Sequence, residues 1–381
     1  MKITSVIIRF INYLKRLNRS RLALRKANRL LKFDIKSQRH HTKPSHIKHL
    51  VIIYTLPGWG DFIYFCGLLT EFAKYEIEVT VATNSSLVNR LHGTNIKNYN
   101  ILNIYSYNTK QDIKADCLLD LNWIFGRGIG RDTNYEHEIN FTRDLDCYTY
   151  TCSDVLANLK LYDQYIDFSQ IPHISMRYGY ILNELTGTTG NIVKPILPLE
   201  KTHIIRACNF LQSANLKQKN FIYLNTTGAQ KDRQFSEQQI ISIVTHLLGK
   251  QIPILYYSPN FNIIKHFKKH QKYLLPIPKI TYFELAAIIQ NAKAVITPDT
   301  SIVHLGSSQN VPVLAIFCEN DYDYFGNHLL SETWAPLSKN SIVIDKSIKQ
   351  TFFAKQKPIS ELTIHFETVI NDFLETIRSA N

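Results

Sequence analysis

The stretch "AVITPDTSIVHLGSSQNVPVLAIF", residues 294–317, decides the fold class. Ala294 to Ile296 reads as a buried strand, Thr297-Pro298-Asp299 breaks it, and the segment from Thr300 to Ser308 has the spacing of a helix. A second apolar strand follows from Pro312 to Phe317. Strand, helix and strand joined this closely make a parallel crossover unit, the building block of an α/β sheet covered by helices. In such sheets ligands bind at the carboxyl ends of the strands, so the polar end of a buried strand at Thr297, Asp299, Thr300 and Ser301 marks a site.

The alternation extends in both directions. "FIYLNTTGA" (221–229) is a strand with a glycine-bearing loop, "SEQQIISIVTHLLGK" (236–250) a helix capped by Ser236, and "PILYYSP" (253–259) a strand. "TYFELAAIIQNA" (281–292) opens with Thr281 and carries Glu284 three residues on, a capping box. Nearer the N-terminus, "HLVIIYTL" (49–56) is a strand, "PGWGD" a tight loop, "FIYFCGLLTEFAKY" a helix, "EIEVTVAT" (76–83) a strand and "SSLVNRL" a helix. "ADCLLDLNWIF" (115–125) reads as a strand, whereas "GRGIGRDTNYEHEINFTRDLD" (126–146) has loop composition, and residues 96–175 yield no clear order. A helix at "MRYGYILNELTG" ends at Gly187, and the two prolines of "NIVKPILPLEK" (191–201) mark a linker. The spans expected are a basic arm at 1–48, one Rossmann-like domain at 49–195, a second at 196–358, and a closing helix at 359–381 placed to pack back on the N-terminal domain.

A chain of 381 residues suits two domains of ordinary size. Its six cysteines, at 66, 117, 147, 152, 208 and 318, include no CxxC pair, which argues against a zinc site or a disulfide framework and for a reducing cytosol. The net charge of +13 resides wholly in residues 1–49, where seven Lys and seven Arg face the single acid Asp34. Ile3, Ile7, Phe10, Leu14 and Leu17 recur there at helical spacing with Arg9, Lys15, Arg16 and Arg19 between them, the pattern of an amphipathic helix at an anionic membrane surface. Arg9 interrupts the apolar run and no small-residue cleavage site follows, so a signal peptide is not expected. Docking of the arm on its own protein and, last in rank, contact with nucleic acid stay open.

Three strand-end clusters carry the chemistry. If Asp299 caps the helix after it, the backbone N–H groups of Thr300, Ser301 and Ile302 and the helix dipole favour an anion such as a diphosphate, with His304 at the same end. "NTTGAQKDR" (225–233) offers Thr226 and Thr227, a flexible Gly228, and the cations Lys231 and Arg233. In "PGWGD", Gly58 and Gly60 let a ligand approach the backbone, and Asp61 begins the helix as its cap, facing the crevice from the other domain. Each cluster also has an ordinary structural use as a cap or turn. Together they suit an enzyme that activates a hydroxyl from one side while holding a nucleotide diphosphate on the other.

The segments "GDFIYFCGLLTEFAK" (60–74), "LNTTGAQKDRQFS" (224–236) and "ITPDTSIVHLGSSQNVPVLAIF" (296–317) resemble the bacterial heptosyltransferases of lipopolysaccharide biosynthesis, glycosyltransferase family 9. The resemblance runs over most of residues 49–345 and is most specific in Asp299-Thr300-Ser301 followed by His304. It implies the two-domain GT-B fold, an ADP-heptose donor, and inverting transfer to a sugar of the lipid A–Kdo acceptor. It also implies that Asp61 is the general base, that Thr226, Thr227 and Lys231 contact phosphate, that Asp299 holds donor sugar hydroxyls, and that Thr300, Ser301 and His304 form the diphosphate-binding helix start. Ser301 stands where the family has glycine, and "RQFS" replaces the usual Lys-Arg-Trp-Pro turn, so Lys231 and Arg233 compete for the phosphate role.

The scheme requires no cofactor and no metal, although Asp144-Leu145-Asp146 and Asp321-Tyr322-Asp323 resemble the metal–diphosphate motif of another glycosyltransferase fold. The partners it implies are a nucleotide sugar, a lipid-anchored saccharide and an anionic inner-leaflet surface, with the protein peripheral on the cytoplasmic face of the inner membrane. The competing functions are a same-fold transferase with another nucleotide sugar for surface polysaccharide, and a non-catalytic protein that binds membrane or nucleic acid.

Overall fold

The structure is a computed structural model that describes residues 41–106, 113–122, 135–152, 161–322, 327–347 and 356–379. The expectations for the arm at 1–40 and for Asp323 lie outside these residues.

The first sheet contains β1 (His49–Ile53), β2 (Glu78–Thr83), β3 (Tyr99–Asn103), β4 (Cys117–Asp120), β5 (Tyr148–Thr151) and β6 (Gln164–Tyr165). The second contains β7 (Ile222–Asn225), β8 (Ile254–Tyr257), β9 (Leu274–Pro276), β10 (Ala294–Pro298), β11 (Val313–Ile316) and β12 (Ile342–Ile344). The orders are β3-β2-β1-β4-β5-β6 and β12-β11-β10-β7-β8-β9, and every pairing is parallel. Each is the doubly wound arrangement in which the strand order reverses beside the first strand, at β1/β4 and at β7/β10. Those two reversals are where loops diverge and a crevice opens.

Among the described residues, the helices of eight or more residues are α1 (Trp59–Phe72), α2 (Ser85–His92), α3 (Tyr135–Asp144), α4 (Ile174–Thr186), α5 (Lys201–Ser213), α6 (Glu237–Gly249), α7 (Tyr282–Gln290), α8 (Ser301–Ser308) and α9 (Phe366–Arg378). Local chemistry sets their ends. Ser236 and Gln239 form a capping box on α6, Thr281 and Glu284 form another on α7, and Gly187 closes α4 in the left-handed conformation at φ 71°.

The inner strands are buried on both faces, as parallel strands between helices must be, while the edge strands β3, β6 and β12 are partly exposed. Alternation along β7 and β10 divides the second sheet: Tyr223 and Val295 join a core continuous with the first domain, while Ile222, Leu224 and Ile296 face a separate core under α6 and α9. The closing helix therefore does not return to the N-terminal domain. Its apolar stripe, Phe366, Ile370, Phe373 and Ile377, packs with Ile240, Ile243, Val244 and Leu247 of α6, and Gln239 Nε2 donates to the carbonyls of Ile359 (2.8 Å) and Leu362 (3.0 Å) ahead of it.

Residues 191–200 have no helix or strand, yet they are held against the first domain. Val193 N donates to Ser175 O (3.2 Å), Ser175 Oγ to Val193 O (2.6 Å), and Ile196 N to Ile63 O (3.2 Å). A methyl group added at Gly67 of α1 would collide with the carbonyl oxygen of Lys194, and one at Gly179 of α4 with that of Asn191. Glycine at both positions lets the connection lie directly on the two helices. Gly67→Ala and Gly179→Ala are each expected to destabilise the protein by about 1–3 kcal/mol in urea unfolding. Gly249→Ala, with nothing within 4 Å of the new methyl, should be neutral or slightly stabilising.

Candidate functional site

On the N-terminal wall, β1 runs into the loop 54–58, and α1 starts at Trp59 with Gly58 as its extended N-cap (φ −68°, ψ 137°). Asp61 is thus not the cap; it is a buried acid in the first turn, where the helix dipole favours a carboxylate. Gly58 and Gly60 line the cavity, but their lack of a side chain admits the protein's own groups. A Cβ on Gly58 would overlap the Asp61 carboxylate, and one on Gly60 would lie 2.8 Å from His304 Cδ2.

On the C-terminal wall, β10 delivers Asp299 and Thr300 to the crevice. The expectation that Asp299 caps α8 is corrected: Thr300 is the N-cap, its Oγ1 accepting from Ile302 N at 3.0 Å, and α8 begins at Ser301. The Asp299 carboxylate is occupied by Arg233, Nη1 to Oδ2 at 2.9 Å, and the same guanidinium reaches Asp321 Oδ2 from Nη2 at 3.6 Å. Ser301 Oγ accepts from Tyr282 OH at 2.7 Å.

Alternation past the end of β7 separates the hydroxyl pair. Asn225 and Thr227 line the cavity, while Thr226 turns away and spends both N–H and Oγ1 on Tyr257 O (3.1 and 3.2 Å). Lys231 is exposed and lies off the cavity, whereas Arg233 lines it. Gly228 also lines it, and a Cβ there would meet Arg233 O at 2.7 Å, so this glycine too makes room for protein. The structure brings together Asp61, Thr227, Arg233, Asp299, Thr300, Ser301 and His304, and it leaves out Thr226 and Lys231.

The cavity has a volume of about 1050 Å³ and opens between the domains. Several of its groups gave no signal in the sequence. Asn225 Nδ2 ties β7 to β10 by donating to Thr297 Oγ1 and Thr227 O, both at 2.9 Å. Arg177, fully buried on α4, lines the same space as Asp61. Trp59 of α1 stacks on Tyr282 of α7 with centroids 4.1 Å apart, and Arg90 lies 4.5 Å from the Trp59 ring. This joins the two domains beside the cavity mouth. Tyr223, Tyr257, Leu285, Ile277, Pro278 and Ile280 form a mostly apolar end beyond the tips of β8 and β9, with Lys279 as the one cation among them.

Burial sets the charge states. It pushes His304 down to about 3, so the imidazole is neutral; its Nδ1 has no partner among the described residues, and the ring lies between Tyr64 and Trp334 at 5.3 and 5.1 Å. Burial raises Asp299 and Arg233 opposes the shift; the same balance takes Asp321 up to about 6. Among the described residues, no group of three or more His, Cys, Asp or Glu side chains is placed to hold a metal ion. Asp146 instead meets His41 Nε2 at 3.1 Å.

Behind the loop 54–58 that leads to Asp61 is a buried polar cluster that the sequence did not reveal. Asn122 Oδ1 accepts from Thr55 N and Oγ1 (2.7 and 3.1 Å), and Glu138 Oε1 accepts from Thr55 Oγ1 (3.0 Å). Tyr162 OH donates to Asp120 Oδ2 at 2.8 Å. Burial raises both acids above the usual carboxylate range, and the Asp120 charge beside it raises Glu138 further.

A sequence model of glycosyltransferase family 9 (heptosyltransferase) matches residues 154–362, more than half the chain. The chain belongs to glycosyltransferase family 9. It is a glycosyltransferase with the GT-B fold. Among solved structures, it is similar to the family 9 glycosyl transferase of Veillonella parvula, with TM-score 0.66 and 16% identity over 90% of this chain and 100% of that one. It is also similar to E. coli ADP-heptose lps heptosyltransferase II (TM-score 0.62, 12% identity, 88% and 99% covered) and to E. coli heptosyltransferase WaaC with ADP (0.57, 14%, 86% and 99%). No curated protein matches the sequence. At these identities the structures establish the fold, and the family 9 match supplies the activity.

The buried acids make the stability of this family 9 enzyme depend on pH. A folded-state value raised above the unfolded one, near 4, means that the folded protein binds the extra proton, so stability is greatest at low pH and is lost as pH rises toward the folded value. For each such group stability is expected to fall as pH rises from about 4 to its own folded value, by roughly 1 kcal/mol per pH unit. Glu138→Gln should flatten the upper part of this decline in urea unfolding measured across that range.

Proposed function

We propose that this enzyme transfers heptose, with inversion, from ADP-heptose to an inner-core sugar of lipopolysaccharide or lipooligosaccharide. One observation carries the proposal: a single cavity has Asp61 from one domain on one wall and the start of α8, with Asp299, Thr300, Ser301 and Arg233, on the other. A volume of about 1050 Å³ accommodates a nucleotide sugar with part of its acceptor.

In this scheme the nucleoside lies toward Tyr257 and Ile277–Ile280, and the diphosphate lies against the N-terminus of α8 and Arg233. The anomeric carbon then faces Asp61. An acceptor hydroxyl oxygen attacks that carbon, its proton passes to the Asp61 carboxylate, and the bond to the diphosphate breaks, releasing ADP. Partial positive charge at the α8 N-terminus and the Arg233 guanidinium stabilise the charge that builds on the leaving group. Arg233 rather than Lys231 takes this part because it lines the cavity. His304, neutral and enclosed, packs α8 on α1 and adds no positive charge. Asp299 is placed to accept from donor sugar hydroxyls while it is oriented by Arg233.

A lipid-anchored acceptor fits the basic arm, whose lysines and arginines favour an anionic leaflet by up to about 1 kcal/mol each. The enzyme is accordingly proposed to act at the cytoplasmic face of the inner membrane. Among the described residues, no helix is long and apolar enough to cross a membrane.

A second donor is favoured by one feature. Ser301 stands at the position where the family resemblance implies glycine, and its tie to Tyr282 at 2.7 Å fixes a side chain at the start of α8. A nucleotide sugar other than ADP-heptose is the alternative. Thermal-shift measurements with ADP, UDP, GDP and CMP separate the two: selective stabilisation by ADP is expected, and selective stabilisation by another nucleotide would replace the donor while keeping the reaction class.

A further inference from the structure

The cavity wall holds two carboxylates on one guanidinium. Arg233 meets Asp299 at 2.9 Å and Asp321 at 3.6 Å, and its Nε–H is buried without a partner among the described residues. Asp299 and Asp321 are not equivalent: the Asp299 side chain is 7% exposed, while that of Asp321 is 18% exposed at the longer contact. A diphosphate brought to this wall adds negative charge beside both acids, and Arg233 is the cation already there.

We propose that Asp321 is a positioning residue that holds Arg233 before the donor binds and surrenders it to the donor diphosphate, taking up a proton from solvent as it does so. The inference rests on a nucleotide diphosphate occupying this cavity, as proposed above. Asp299, more deeply buried and closer, keeps its guanidinium contact; Asp321, nearer to water, is the one displaced. The partnerless Nε–H and the freed Nη2 then have donors to offer phosphate oxygens. The groups facing Asp321 are Arg233, Asp299, Asp232 and the Cys318 thiol, and of these Arg233 alone stabilises its charged form. Its affinity for a proton, already raised to about 6 by burial, rises further once that cation turns to phosphate. The bound complex then holds more protons than the free enzyme, so donor binding weakens as pH rises above about 6.

The test is calorimetric titration of the full-length enzyme with ADP-ribose, whose esterified phosphates do not titrate between pH 5 and 8, in buffers of different ionisation enthalpy. UDP-glucose and GDP-mannose are run alongside. Uptake approaching one proton is expected at pH 7, with the dissociation constant increasing by up to about tenfold per pH unit. Asp321→Asn and, as a second variant, Asp321→Ser should bind without that uptake, with little pH dependence and more tightly than wild type at pH 8. Binding without proton uptake in the wild type, or equal uptake in wild type and variants, overturns the inference and leaves the proposed donor class standing. Failure of ADP as well as of all three nucleotide sugars to bind the folded enzyme overturns the donor proposal and this inference with it.

Discussion

The close approach of α1 to α8 is the constraint on which the site depends. Gly60 has no side chain because His304 occupies that space, with Cδ2 only 2.8 Å from where a Cβ would be. Each helix follows a strand at the reversal point of its own sheet, so packing them together sets one crevice against the other. Asp61 leaves the first turn of α1, and Thr300 and Ser301 stand at the start of α8. Neither domain alone has the opposed walls of a transferase.

Burial gives that contact its rigidity and its chemistry. His304 is neutral and enclosed by Tyr64 and Trp334, so the helix contact is apolar in effect although one partner is a histidine. The Trp59–Tyr282 stack makes a second bridge at the mouth. Behind the loop that leads to Asp61, Thr55, Asn122 and Glu138 fix the end of β1 by hydrogen bonds in a setting where an unpaired group is expensive. In front of it, Asp299, Arg233 and Asp321 share one positive charge, which leaves the wall able to respond to an arriving anion.

Much of this was legible in the sequence, for identifiable reasons. Long apolar strands followed by capped helices are strong local signals, and the second half has them at Ser236, Thr281 and Thr297 through Ser301. The strand ends then located the site. Side-chain direction was not legible: Thr226 and Thr227 look alike as letters, and only the pleat of β7 turns one inward. Asp299 had the right residue type for a cap, but the adjacent Thr300 takes the position and Arg233 claims the acid. In residues 96–175, β6 has two residues, β5 reads "YTYT", and α3 carries "YEHEINFTRD", whose charged composition hides a helix that buries Glu138. There tertiary packing overrides local pattern, and one sequence cannot show it. The closing helix was recognised, but its partner, α6, depended on which of two cores its stripe would complete.

The most direct measurement of the central claim is steady-state transfer from ADP-heptose to a deacylated lipid A–Kdo acceptor by wild-type enzyme and Asp61→Asn, with donor affinity measured separately. The account predicts that kcat falls by about 10²–10⁴-fold while donor affinity stays within a few-fold, because the lost group acts on the acceptor hydroxyl from the opposite wall. Turnover by Asp61→Asn at the wild-type rate would contradict it.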